Sequence, residues 1–143
     1  MDRQIKQVNI NRDRLLNYWK WAKPLYIDKS EYVYHVYMES SYYFEIPDVG
    51  FFWFEWTGTK ILDAHGVITS KKVFDWLPKI ETFLKDRIFQ VSGAGTVRIS
   101  VPEEFHGMCK LLDKLNPNFS STTCKRFKGI TRIHKMVLFS RGG

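Results

Sequence analysis

The chain has no tyrosine after Tyr43, no glycine between Val67 and Arg87, and no acidic residue after Asp113. Cysteine is scarce: Cys109 and Cys124 are the only two, and they form no CxxC or Cys/His metal pattern. That excludes a zinc-ribbon type of site and a disulfide scaffold, so no metal is expected. Two free thiols, buried as small apolar side chains in a reduced cytoplasmic setting, are expected instead. No stretch approaches the roughly 20 apolar residues of a membrane span, so no membrane association is expected. The opening MDRQIKQVNINRDR carries charge and no apolar core, so no secretory leader is expected. There is no internal repeat, low-complexity run or dividing linker, and residues 1–143 read as a single domain.

What is present is a chain of 143 residues, 44% hydrophobic, long enough to bury a core. Its net charge of +7 is unevenly placed. Residues 1–113 balance, and the whole excess lies in 114–143, on Lys114, Lys125, Arg126, Lys128, Arg132, Lys135 and Arg141. Lys125, Arg126, Lys128, Arg132, Lys135 and Arg141 could track the phosphates of a nucleic acid. They could equally be a solvated sheet edge, where lysine discourages stray strand pairing. The edge is the favoured reading, because no nucleic-acid motif accompanies the charges and no tyrosine is interleaved with them. The aromatics are segregated too. Trp19, Trp21, Tyr26, Tyr32, Tyr34, Tyr37, Tyr42 and Tyr43 crowd the N-terminal third, as core or as an interface.

Residues 3–10 read as a short strand, and Asn11 as the N-cap of a helix over 12–22 that Pro24 ends. Residues 28–40 are ambiguous. Asp28 or Ser30 could cap a helix, while the β-branched and aromatic content favours a strand; helix is the preferred reading. Ser41–Ile46, Phe51–Thr57 and Lys60–Ile68 form a meander across Pro47–Gly50 and Gly58-Thr59. The FFWF run is apolar on both faces, which predicts a central strand. Asp75 can cap a helix over 76–89, with Pro78 in its first turn. Thr96–Val101 is a strand, 103–115 a helix opened by Pro102 and Glu103, and Ser120–Lys128 with Ile130–Ser140 a closing hairpin around Gly129. A meander, a crossover helix and a further strand imply a mixed α/β (α+β) sheet with helices on both sides.

That order is the order of the GNAT superfamily, the N-acetyltransferase-like fold. FEIPDVGFFWFEW resembles the family's second and third strands. KILDAHGVITSKKV resembles the fourth strand running into the cofactor loop, and VPEEFHGMCKLLDKLNP resembles the end of the fifth strand with the fourth helix, where members often carry LYEKLGF. The likeness spans about residues 3–140. It implies a mixed, mostly antiparallel twisted sheet of six or seven strands, and is nearest to small phage or prophage acyltransferase-like proteins associated with virion assembly.

In the resembling enzymes the fourth and fifth strands splay to admit acyl-CoA, and a Q/R-x-x-G-x-G/A loop cradles its pyrophosphate on backbone N–H groups. The matching residues here, Val67, Ile68, Thr69, Ser70, Lys71 and Lys72 and on to Asp75, include no glycine. Bulky Val73 and Phe74 stand there, and only Lys71 and Lys72 supply positive charge. Asp63 and His65 alternate on one strand face and are the candidate catalytic groups, a base with an orienting carboxylate or else a structural pair. The tyrosine that members use to protonate the leaving thiolate is missing, with His106 and Cys109 the nearest substitutes. These absences favour a non-catalytic phage or prophage protein, cytoplasmic or virion-associated, with no cofactor and a phage structural or host protein as partner. An active N-acyltransferase using acetyl-CoA or another acyl-CoA is the alternative, and a basic nucleic-acid-binding module the second. A side-chain-filled gap between the fourth and fifth strands would favour the first reading.

Overall fold

The computed structural model describes residues 5–9, 12–23 and 40–141. Their elements are β1 (Lys6–Gln7), α1 (Arg12–Ala22), β2 (Ser40–Ile46), β3 (Gly50–Gly58), β4 (Ile61–Ile68), a 3₁₀ segment (Lys71–Trp76), α2 (Leu77–Thr82), a π segment (Phe83–Arg87), α3 (Ile88–Ser92), β5 (Thr96–Pro102), α4 (His106–Lys114), β6 (Phe119–Phe127) and β7 (Ile130–Ser140). The ambiguous 28–40 stretch lies outside the described residues, save Ser40, which opens β2.

The seven strands form one sheet in the order β1-β2-β3-β4-β5-β7-β6. Only β4 and β5 pair in parallel. The expected mixed, mostly antiparallel sheet is therefore observed, with the FFWF strand inside it between β2 and β4. Side chains of ladder partners share a face. One face carries Phe44, Phe54, Leu62, Val97 and Val137, all at most 1% exposed. Ile80, Phe83 and Ile88 of the crossover helix and Leu111, Leu112 and Leu115 around α4 cover it in one core. The other face carries Phe51, Trp53 and Val67. There α1 lies across the sheet: the Tyr18 ring stacks on Phe51 at 4.6 Å, and its hydroxyl donates to Glu45 Oε2 at 2.7 Å. Helices thus cover both faces.

Several local expectations need correction. The crossover helix starts earlier than Asp75. Ser70 is the cap, its Oγ accepting from Lys72 N at 3.1 Å, and the first six residues wind as 3₁₀ before Pro78 enters the first α turn. The helix then widens into a π turn and runs on to Ser92, where Gly93 at φ 74 supplies the left-handed cap. Conversely, α4 starts later than Glu103. Pro102 still belongs to β5, and Glu103 N is held by Ile133 O at 2.9 Å, so the backbone is committed to the sheet until Phe105. The thiols are not buried as expected: Cys109 is half-buried and Cys124, on an edge strand, is exposed. The hairpin turn is left-handed at both Lys128 (φ 49) and Gly129 (φ 80), a twist that suits two strands joined by two residues.

Candidate active site at the parting of two parallel strands

The ladder between β4 and β5 has only four rungs, from Ile61↔Thr96 to Ala64↔Ile99. Beyond them β4 continues to Ile68 and β5 to Pro102, each still paired on its outer side. His65–Ile68 and Ser100–Pro102 therefore face each other without a shared ladder. Ala64 and Gly66 leave the space beside β4 thinly filled; a Cβ on Gly66 would stand 2.9 Å from Phe52 Cδ1.

A cavity of about 210 Å³ occupies the parting. On the face covered by the crossover helix and α4 its walls are apolar: Phe54, Phe83 and Leu84 on one side, Met108, Leu111 and Leu112 on the other. Phe83 and Leu84 belong to the π segment, a wider turn that often marks functional sites. Leu112 stands where the family's LYEKLGF run has its tyrosine, so this wall has no phenol.

On the opposite face the lining is polar. Asp63 and His65 both line the cavity, but they do not pair with each other, either as base and orienting group or as a structural pair. Asp63 accepts two hydrogen bonds from Arg98, Nε to Oδ1 at 2.7 Å and Nη2 to Oδ2 at 3.0 Å. These bonds hold the guanidinium above its ordinary pKa. His65 Nε2 meets Glu55 Oε1 at 2.7 Å, and its ring stacks on Trp53 at 5.4 Å. Glu55 is only 5% exposed. Lys125 donates to Ser100 Oγ at 2.8 Å. Much of Lys125 remains in contact with solvent, yet its ammonium end is desolvated, which lowers its pKa.

His134 of β7 completes the polar lining. It is 2% exposed, and neither ring nitrogen has a hydrogen-bond partner among the described residues. Burial, followed by the charges of Lys125 and Arg132, pushes its pKa down to about 4. Sequence reasoning missed Glu55, Arg98, Ser100 and His134. A lone glutamate within FFWFEW was the one available signal; His134 sits in ordinary strand alternation and offers none.

The loop residues divide. Ile68 lines the cavity, while Val67 is buried on the α1 face. The backbone N–H groups of Thr69, Lys72 and Val73 are already engaged with Val49 O, Ser70 Oγ and Ser70 O. Lys71 and Lys72 are exposed. The structure also splits the basic residues. The ladder places Lys125 and Arg132 on one face and Arg126 and Lys135 on the other. Arg132 pairs with Glu104 and Lys135 with Asp113, each at 2.7 Å. Lys128 and Arg141 are exposed. His106 is exposed on α4, and burial raises the Cys109 thiol pKa. Among the described residues no group of three or more His, Cys, Asp or Glu is placed to hold a metal, and no helix is long and apolar enough to cross a membrane.

Sheet order, the parted β4 and β5, and the crossover and closing hairpin together define the GNAT fold, the fold of N-acetyltransferases. The chain is similar over nearly its whole length to spermidine N-acetyltransferase from Vibrio cholerae in complex with CoA and spermine (TM-score 0.66, 13% identity, 98% of this chain and 97% of that one). It is equally similar to a Bacillus subtilis acetyltransferase in complex with CoA (TM-score 0.65, 15% identity, 96% and 97%). The ribosomal-protein-S5-alanine acetyltransferase from Vibrio fischeri also matches (TM-score 0.61, 11% identity, 90% and 86%). At these identities the likeness is one of fold. No protein-family model matches the sequence, and no curated protein matches it.

Proposed function

We propose that this protein is an acyl-CoA-dependent N-acyltransferase. The observation that carries the reading is the open cavity at the β4/β5 parting, apolar toward the helices and polar toward the other face. A filled gap would have favoured a purely protein-binding role. The virion-assembly reading drew on the topology, the missing glycines, the missing tyrosine and the aromatic N-terminal third; Tyr26, Tyr32, Tyr34 and Tyr37 of that third lie outside the described residues.

The residues suit an acyl thioester in part. The strand edges at His65–Ile68 and Ser100–Pro102 offer backbone groups beside an apolar slot, which fits an extended amide-bearing arm. The Thr69–Val73 loop suits a pyrophosphate less well, since three of its N–H groups are used within the fold and Lys71 and Lys72 are the charge it adds. Bound there, the donor supplies an acyl group already activated for attack. The polar face then receives the amine, with Glu55–His65 and Asp63–Arg98 as fixed pairs that orient it and Ser100–Lys125 at its far side. Preorganised groups of this kind lower the barrier by positioning.

Calorimetry with CoA and acetyl-CoA tests the reading. Saturable binding below about 1 mM is expected. No heat at millimolar CoA overturns it. Spermidine and a peptide beginning with alanine, taken from the names of two similar structures, are the first acceptors to assay.

A further inference from the structure

The ionisable side chains along the cavity differ in how much of their hydrogen-bonding capacity is engaged. Both Asp63 oxygens hold Arg98, His65 holds Glu55, and Lys125 holds Ser100. His134 alone among these lining groups is buried with both ring nitrogens unmet among the described residues. An unmet buried polar group is costly, because it has given up its hydrogen bonds to water and gained none in return. Native structures keep such groups rarely, and strain, an ordered water or ion, or a catalytic role accounts for those they keep.

The placement of His134 is specific. It is the ladder partner of Pro102, at the end of β5 beyond the last rung shared with β4, and of Thr123 on β6. Lys125 stands on the edge strand β6, yet its ammonium reaches Ser100 on β5. Two ladder spacings of about 4.8 Å separate those strands, so the lysine stem crosses β7. The β7 residue diagonal to Lys125 on that face, on the side toward Ser100, is His134. The stem therefore lies over the strand at the imidazole, and the cavity is the open space beside it. No phenol is available on β5, α4, β6 or β7, because no tyrosine follows Tyr43.

Resting on the acyltransferase reading, we propose that His134 is a catalytic residue that carries the proton of the transfer. One ring nitrogen takes the proton that the acceptor amine loses as its N–C bond forms, and the same nitrogen gives that proton to the sulfur as the C–S bond breaks. An amide and a thiol result, the imidazole ends neutral as it began, and no outside proton is consumed. The surroundings keep the ring neutral at rest, in the form that can accept a proton. Lys125 on β6 and Arg132 on β7 face the ring with positive charge, Glu104 before α4 opposes them, and Arg98, Asp63 and His65 line the same cavity. The ring resists a resting charge and readily releases an acquired proton.

The test uses the whole chain labelled with ¹⁵N-histidine, the His134 ring assigned by through-bond correlation, and CoA as the probe. The expected result is a change in the His134 ring nitrogen shifts on adding CoA. H134Q should bind CoA within about threefold of the unsubstituted chain and lose about 100-fold in kcat, with little change in KM. Added imidazole should restore part of the activity of H134A, which a purely structural role would not give. Ring signals unmoved by saturating CoA overturn the proposal, and they decide it alone if H134Q fails to fold or neither acceptor turns over. Retention of kcat within about twofold in H134Q also overturns it. Failure of the unsubstituted chain to bind CoA overturns the acyltransferase reading instead, so the two failures are distinguishable.

Discussion

Asp63 and Arg98 face each other on the third of the four rungs that join β4 to β5, and their two hydrogen bonds, 2.7 and 3.0 Å long, clamp the strands one rung before they part. The clamp sets where the cavity begins. Arg98 is 42% exposed, so the pair contributes little to global stability. Its effect should be local.

D63N and R98K are expected to lower unfolding stability by about 1 kcal/mol or less, measured in urea. Both should weaken CoA binding severalfold by calorimetry. Lysine keeps the charge of Arg98 but loses the two-pronged geometry, so R98K should behave like the neutral variant. Unchanged CoA affinity in both variants would show that the clamp does not shape the cavity.

Two glycines on neighbouring strands should respond differently to alanine. At Gly50 the new Cβ would stand 2.8 Å from the backbone oxygen of Val67, and the backbone of a paired strand cannot readily retreat. At Gly66 it would meet the Phe52 ring, which lines the cavity and can swing into it. G50A should therefore cost about 1–3 kcal/mol in urea unfolding, and G66A less. G66A should instead reduce CoA affinity, because the displaced ring occupies the cavity.

Removing His65 takes a hydrogen-bond partner from Glu55, which is 5% exposed. H65A should destabilise the fold by about 1–3 kcal/mol. H65Q, which still donates to the carboxylate, should recover part of that loss. In the E55Q background, H65A should cost less than alone, and a double-mutant cycle in urea measures the difference.

His134 sets an acid limit. Its pKa in the folded chain is about 4 against an ordinary 6.5, with desolvation the leading cause. Between those values the unfolded chain binds a proton that the folded one refuses, so stability rises with pH across that window. The contribution is fully present above about pH 6.5 and is lost as pH falls toward 4; the whole span is about 3 kcal/mol. Urea midpoints at pH 7 and pH 4 should therefore differ less in H134L than in the unsubstituted chain.

Part of this site was legible in the sequence. Asp63 and His65 were found because they alternate on a clear strand. Their partners were misassigned, since Glu55 is 10 residues from His65 and Arg98 is 35 residues from Asp63. Those pairings follow from ladder register, which local pattern does not contain. The basic residues split for a local reason: adjacent Lys125 and Arg126 point to opposite faces of one strand. The helix start shifted from Asp75 to Ser70 because the Ser70 hydroxyl caps a 3₁₀ turn that the apolar pattern did not register.

The sequence by itself determined the elements and their order. Alternation, helical spacing and turn residues act over a few neighbours, and they agree along the meander, the crossover helix and the closing hairpin. It also determined which chemistry is missing, with no phenol after Tyr43 and no glycine in the Thr69–Asp75 loop. Only the tertiary structure decided where β4 leaves β5 and that His134 is buried there with no hydrogen-bond partner among the described residues. A strand has the same period of two whether its edge is paired or open, so nothing in the chain marks the last rung. Burial of one imidazole is likewise set by what crosses it from two other strands, not by its neighbours in sequence.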